Sequence, residues 1–321
     1  MIVAASMTRG PSAAILGPRH DIHPIAVESP LNLNESLQLI MTNDIIAQLH
    51  AIAQQVEADP RAARKALRRL APSLPDTAEV KTALGLTYLE LGQPRDAMRA
   101  FKRAIELDPA NATARFQLGL LQSDQGLLPQ AQANLRAAVE AEPENPDYLT
   151  ALGYTYYRAG KNELAIETLE KALDAGAANE NAFTALGYLY YEADEFSKSR
   201  EAFSRLVALE PDRADVYNNI GYLDILTGDL ERAAEELATC LEKDENYLRA
   251  SYNLALATWL QGDRETAIEL YHEARRRDRG DAELQQHLAD LDEVGERYGD
   301  DKGLTALKNK LAVALKTGRL K

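Results

Sequence analysis

The chain has 321 residues, 45% of them hydrophobic, a net charge of −14 and one cysteine, Cys240; that length allows several small domains or one long array. A single thiol excludes an intramolecular disulfide and a cysteine-based metal cage, and no uncharged apolar run approaches the roughly 18 residues of a membrane-spanning helix, so a reducing, cytoplasmic setting fits. The charge is uneven, net 0 over residues 1–77, −18 over 78–295 and +4 over 296–321, and the acidic body repels phosphate backbones, which argues against nucleic acid as a ligand.

Residues 1–36 contain Pro11, Pro18, Pro24 and Pro30 and show no sustained period, the composition of an unstructured or loosely docked segment. Met1–Gly10 make a poor signal peptide, because an early positive charge is missing. Met41 precedes the first convincing helix, which leaves open a later start of translation. His20 and His23 flank this region's Asp21, and a lone His-x-x-His is a poor metal signal. Residues 37–77 read as a helical cap or a worn repeat. Within them Arg61, Arg64, Lys65 and Arg68 fall at i, i+3, i+4 and i+7, with Arg69 nearby. One helix face is therefore basic, either as a solvated face or as a surface for an acidic partner.

From Ala78 to Asp281 the sequence repeats every 34 residues. The six units are 78–111, 112–145, 146–179, 180–213, 214–247 and 248–281. With each unit numbered 1 to 34, position 7 is Leu84, Leu118, Leu152, Leu186, Ile220 and Leu254. Position 8 is Gly85, Gly119, Gly153, Gly187, Gly221 and Ala255. Position 20 is Ala97, Ala131, Ala165, Ser199, Ala233 and Ala267, and position 24 is Phe101, Leu135, Leu169, Phe203, Leu237 and Tyr271. Positions 7, 8 and 11 give one helical stripe, and 20, 24 and 27 give a second. Between them, position 15 is glycine in five units and Asp194 in the fourth, which suits the left-handed turn that ends a helix. Each unit is thus a helical hairpin. Small residues at 8 and 20 let its two backbones approach closely, and Cys240 at position 27 belongs to the core. Residues 44–77 extend the phase backward through Ala51, Ala63, Leu67 and Pro75.

These residues resemble the tetratricopeptide repeat. Leu-Gly at 7–8, Tyr at 11 (Tyr88, Tyr156, Tyr190), Ala at 20, Phe or Leu at 24 and Pro at 32 (Pro109, Pro143, Pro211) carry the likeness over six units. Gly176-Ala177, Glu245 and Arg279 depart from the proline, and Gln122, Asp224 and Thr258 from the tyrosine. The resemblance implies an all-α fold, a right-handed α-solenoid of stacked antiparallel helix pairs, with the first helices lining a concave groove. It also implies that positions 5, 9 and 12, which share a helix face, meet a ligand. Here those positions supply Phe116, Tyr154, Tyr157, Tyr188, Tyr191, Asn218, Tyr222, Tyr252 and Trp259, with Asn219 and Asn253 adjacent. Tyrosine offers apolar area plus a hydroxyl, and asparagine both donates and accepts, so a peptide is the expected occupant. The alternative is that these aromatics pack against neighbouring helices. Position 5 holds no lysine and no unit has Asn at 9, so the carboxylate clamp of chaperone-binding members is missing.

Residues 282–300 read as a capping helix, with Leu288 and Ala289 at positions 7 and 8 and with Asp290, Asp292 and Glu293 on a solvated outer face. His272 and His287 read as surface residues. Residues 301–321 form a basic amphipathic helix through Leu304, Leu307, Leu311 and Leu315; covering the end of the array is favoured over contact with an acidic partner or membrane surface. No phosphate-binding glycine loop, His-Glu-x-x-His or nucleophile elbow is present. The sequence therefore points to a non-catalytic scaffold or adaptor, without cofactor or metal, that binds another protein or peptide in its groove. Two alternatives remain open: self-assembly of copies through basic ends and an acidic middle, and service as the regulatory subunit of an enzyme complex.

Overall fold

The computed structural model describes residues 33–299 and 303–317. They contain sixteen α-helices, one 3-10 turn at Ala71–Ser73 and, among the described residues, no strand. No described helix is long and apolar enough to cross a membrane. Most of the segment expected to be unstructured, including His20 and His23, lies outside the described residues; its last four residues already belong to the first helix.

Two compact units divide between Ala177 and Ala178, where Gly176-Ala177 stand in place of the proline that three other units carry as Pro109, Pro143 and Pro211. The first unit holds α1 (Leu33–Gln54), α2 (Pro60–Leu70), α3 (Ala78–Glu90), α4 (Pro94–Leu107), α5 (Ala112–Asp124), α6 (Leu128–Ala141), α7 (Pro146–Arg158) and α8 (Asn162–Asp174). The second holds α9 (Glu180–Glu192), α10 (Phe196–Leu209), α11 (Ala214–Thr227), α12 (Leu230–Lys243), α13 (Leu248–Gln261), α14 (Arg264–Arg277), α15 (Ala282–Tyr298) and α16 (Leu304–Thr317).

The hairpins start and stop where local chemistry dictates. Thr77, Asn111, Asn145 and Asn179 stand at position 34 of the period. Their side chains accept N–H groups of the first turns of α3, α5, α7 and α9, satisfying donors that a helix start leaves open. The turn at position 15 is left-handed in every unit, including Asp194 at φ 58°. Within each hairpin the position-24 side chain is fully buried, from Phe101 to Tyr271. Cys240 is buried as well, and burial pushes its thiol up to about 12.

Glycine at position 8 is required by proximity. A Cβ on Gly153 would lie 2.7 Å from Leu169 Cγ and 3.2 Å from the Leu169 backbone nitrogen. We expect Gly153→Ala to lose about 1–3 kcal/mol through overpacking, read as a lower urea midpoint.

At the start of the first unit, Leu49 and Ile52 of α1 pack with Ala63 and Leu67 of α2 and with Val80 and Leu84 of α3. The α1–α2 pair thus stacks as a repeat would, although His50 at position 7 is exposed and its neighbour Leu49 takes the buried place. At the other end the expectation of a repeat-like cap is corrected. Leu288 is only half-buried and Ala289 is exposed, at the positions that α3, α5, α7, α9 and α11 bury. The buried residues of α15 are Leu284, His287, Asp290, Leu291 and Val294. This face lies along α13 and α11, and α16 packs on α15 through Leu304, Leu307, Leu311 and Ala314, all buried.

Candidate protein-binding groove

In the first unit Phe116 is buried, its ring centroid 4.7 Å from that of Tyr148. It packs at the α5–α7 contact and is not presented to a ligand, which corrects the expectation for this residue. Tyr154 and Tyr157 remain partly exposed on one face of α7, with ring centroids 6.1 Å apart. Tyr156, at position 11, is buried beneath the Lys161 ammonium, 5.6 Å from its ring. Arg61, Arg64, Lys65, Arg68 and Arg69 are all exposed and line one concavity of about 350 Å³. Arg64 also donates to the Leu91 carbonyl at 3.3 Å, at the end of α3.

In the second unit most of the expected ligand-facing residues are turned inward. Tyr188 stands edge-on to Phe203 at 5.3 Å and accepts a hydrogen bond from Asn219 Nδ2 at 3.2 Å. Asn253 Nδ2 donates to Asn218 Oδ1 at 3.0 Å, and both amides are buried. These asparagines tie α11 to α13 and α9 instead of facing a peptide backbone. Trp259 is buried under the Arg264 guanidinium, 5.0 Å from its ring, and under Gly303, where an added Cβ would stand 3.7 Å from Cζ2.

Tyr191, Tyr222 and Tyr252 instead meet α15 of the same chain. Glu293 accepts both tyrosine hydroxyls: Tyr191 at 2.7 Å and Tyr222 at 2.9 Å, each to Oε2. Tyr252 stacks on the His287 ring at 5.3 Å, while the Tyr271 hydroxyl pairs with His287 Nε2 at 3.0 Å. Arg249 reaches Glu283 at 3.2 Å and Asp290 at 3.6 Å. Farther along, Tyr298 donates to the Ile225 carbonyl at 2.5 Å, and Arg297 pairs with Asp194 at 2.7 Å above the Phe196 ring. The helix therefore crosses the first helices of three repeats, α13, α11 and α9.

That docking corrects the reading of α15 as a cap with a solvated acidic face. Asp290 is 2% exposed and Glu293 is taken up by two tyrosines, while only Asp292 stays in water, paired with Lys308 of α16. His287, expected at the surface, is buried. Burial holds its imidazole down at about 3, helped by the Arg249 charge, so it docks neutral. Burial, with the carboxylates of Asp290 and Glu293 beside it, raises the Tyr222 hydroxyl; burial and Asp278 raise that of Tyr252. Both stay protonated donors at neutral pH. Arg249 was the available sequence signal. Position 2 otherwise reads Glu79, Thr113, Asp147, Asn181 and Asp215, so a lone guanidinium there marks a place for a carboxylate. Among the described residues no cluster of three His, Cys, Asp or Glu side chains could hold a metal ion.

Comparison with known proteins agrees with this architecture. YrrB, described as a TPR protein with an unusual peptide-binding site, is 22% identical over 66% of this chain and 99% of its own, with a TM-score of 0.53. PilF of Pseudomonas aeruginosa is 20% identical over 66% of this chain and 96% of its own, also with a TM-score of 0.53. At such identities the likeness is one of fold. No curated protein matches the chain. A tetratricopeptide-repeat model matches residues 116–180, 184–239 and 227–282, and a second TPR-repeat model matches 85–126. With the repeat models covering more than half of its residues, the chain belongs to the tetratricopeptide-repeat family.

Proposed function

We propose that this protein is a non-catalytic adaptor that holds a segment of another protein against the concave face of its repeats, in a cytoplasmic setting. One observation supports this reading above the others: the first helices α9, α11 and α13 already hold a helix, α15, through side-chain contacts directed at its carboxylates and rings. A surface that recognises a helix in this way has the chemistry of a binding site. YrrB, with its peptide-binding site, is a fold-level parallel. In the first unit Tyr154 and Tyr157 of α7 are the partly exposed tyrosines at positions 9 and 12, and they offer a partner a face of their own.

The test is affinity capture from native extract with quantitative mass spectrometry. It compares the full chain with a Tyr154→Ala/Tyr157→Ala variant whose helical circular dichroism is unchanged. At least one partner should fall tenfold or more in the variant. Equal recovery of every captured protein would remove the groove from the account.

A further inference from the structure

The placement of α15 is unlike that of a seventh first helix. Continuing the stack would bury Leu288 and Ala289; instead α15 turns at Asp281, whose φ is 59°, and lies in the groove on its other face. Its fully buried aliphatic side chains are few: Leu284, Leu291 and Val294. Much of the remaining contact is polar, and water can satisfy the same groups after release: two tyrosine hydroxyls, Arg297, Asp194 and the Ile225 carbonyl. Release of such a helix is less unfavourable than opening the aliphatic core of a hairpin. Gly295 adds a second indication. It sits inside α15, where a Cβ would meet nothing within 4 Å, so packing does not require glycine there, yet glycine weakens the helix.

We propose that α15 is an exchangeable ligand carried in cis, and that the groove of α9, α11 and α13 takes in trans an amphipathic helix of another protein bearing carboxylates at i, i+3 spacing. This inference rests on the adaptor reading and names the partner's chemistry. Arg249 reads the first carboxylate, the position of Asp290. The Tyr191 and Tyr222 hydroxyls read the second, the position of Glu293. The Tyr252–Tyr271 pair reads a ring one turn before the first, the position of His287. The incoming helix and α15 compete for the same groups, so the adaptor is closed until a helix of this type displaces its own.

The probe is a labelled synthetic peptide of residues 282–298, titrated into the full chain. Trp259, the sole tryptophan, reports release, because it lies beneath the Gly303 segment that follows α15. Three chains are compared: wild type, Leu291→Asp to weaken docking in cis, and Gly295→Ala to strengthen it. We expect Leu291→Asp to bind the peptide at least tenfold more tightly than wild type. Gly295→Ala should bind it about fivefold more weakly. A peptide with Glu293→Ala should lose at least tenfold against every chain. In wild type, saturation by peptide should red-shift the Trp259 emission.

Equal affinity for wild type and Gly295→Ala, whose fold is not at risk, would overturn exchange, as would absence of binding to all three. A doubled mass of the wild-type chain by light scattering would make the occupant a second copy and would likewise overturn it. None of these results touches the capture experiment above, which decides the adaptor reading by itself.

Discussion

Replacing Arg249 with methionine should weaken α15 docking by about 3–5 kcal/mol, the usual effect of removing one partner from a buried ion pair. Asp290 is 2% exposed, and Arg249 approaches it at 3.6 Å while reaching Glu283 at 3.2 Å. Without the guanidinium, a carboxylate stays in the interface with its countercharge gone. The hairpins have their own cores, so the loss falls on α15 and its partner α16 first, and hydrogen exchange is the appropriate measure. Amides of 284–298 should lose protection while those of α9–α14 keep theirs. The companion variant Arg249→Met/Asp290→Leu removes the buried pair and leaves Glu283, which is 38% exposed, to water; it should recover most of the loss, since apolar side chains can replace a buried pair at little or no penalty. If the single variant leaves exchange in α15 unchanged, the ion pair does not hold the helix.

The contrast between what the residues announced and what they concealed has a physical origin. The hairpins were legible because their determinants are local: a stripe on each helix, a glycine or Asp194 at the turn, a small residue at position 8. Even the side-chain caps at position 34 recur on the period and were there to be read. Tyr188 and Tyr222 mark the limit. Both stand at position 9, yet Tyr188 is closed in by Phe203 and Asn219 while Tyr222 faces Glu293, because what covers a groove depends on distant chain. Helix α15 carries Leu288-Ala289 where a repeat would carry Leu-Gly, and that imitation favours the wrong face. The actual face is selected by contacts that reach as far as 103 residues along the sequence, among them Arg249 with Asp290, Tyr191 with Glu293 and Arg297 with Asp194, which no local period encodes.

His287 makes the same docking dependent on pH. Its ring lies between Tyr252 of α13 and Tyr271 of α14, with Arg249 nearby, and burial holds it at about 3 instead of its ordinary 6.5. When α15 is released the imidazole returns to its ordinary value. Between about 6.5 and 3 the released state therefore binds a proton that the docked state refuses. Docking is at full strength above 6.5 and weakens as pH falls, by about 1.4 kcal/mol per unit. At pH 4.5 the loss from this group alone is roughly 2.7 kcal/mol, enough to shift the closed-to-open ratio by about a hundredfold. Hydrogen exchange of α15 at several pH values, corrected for intrinsic rates, would show that slope. His287→Phe keeps a ring against Tyr252 and cannot titrate. It loses the partner of the Tyr271 hydroxyl, about 1 kcal/mol at all pH values, and its profile between pH 4.5 and 6.5 should be flatter by the full imidazole contribution. Equal slopes in the two proteins would mean that the carboxylates of α15, and not His287, set the response to acid.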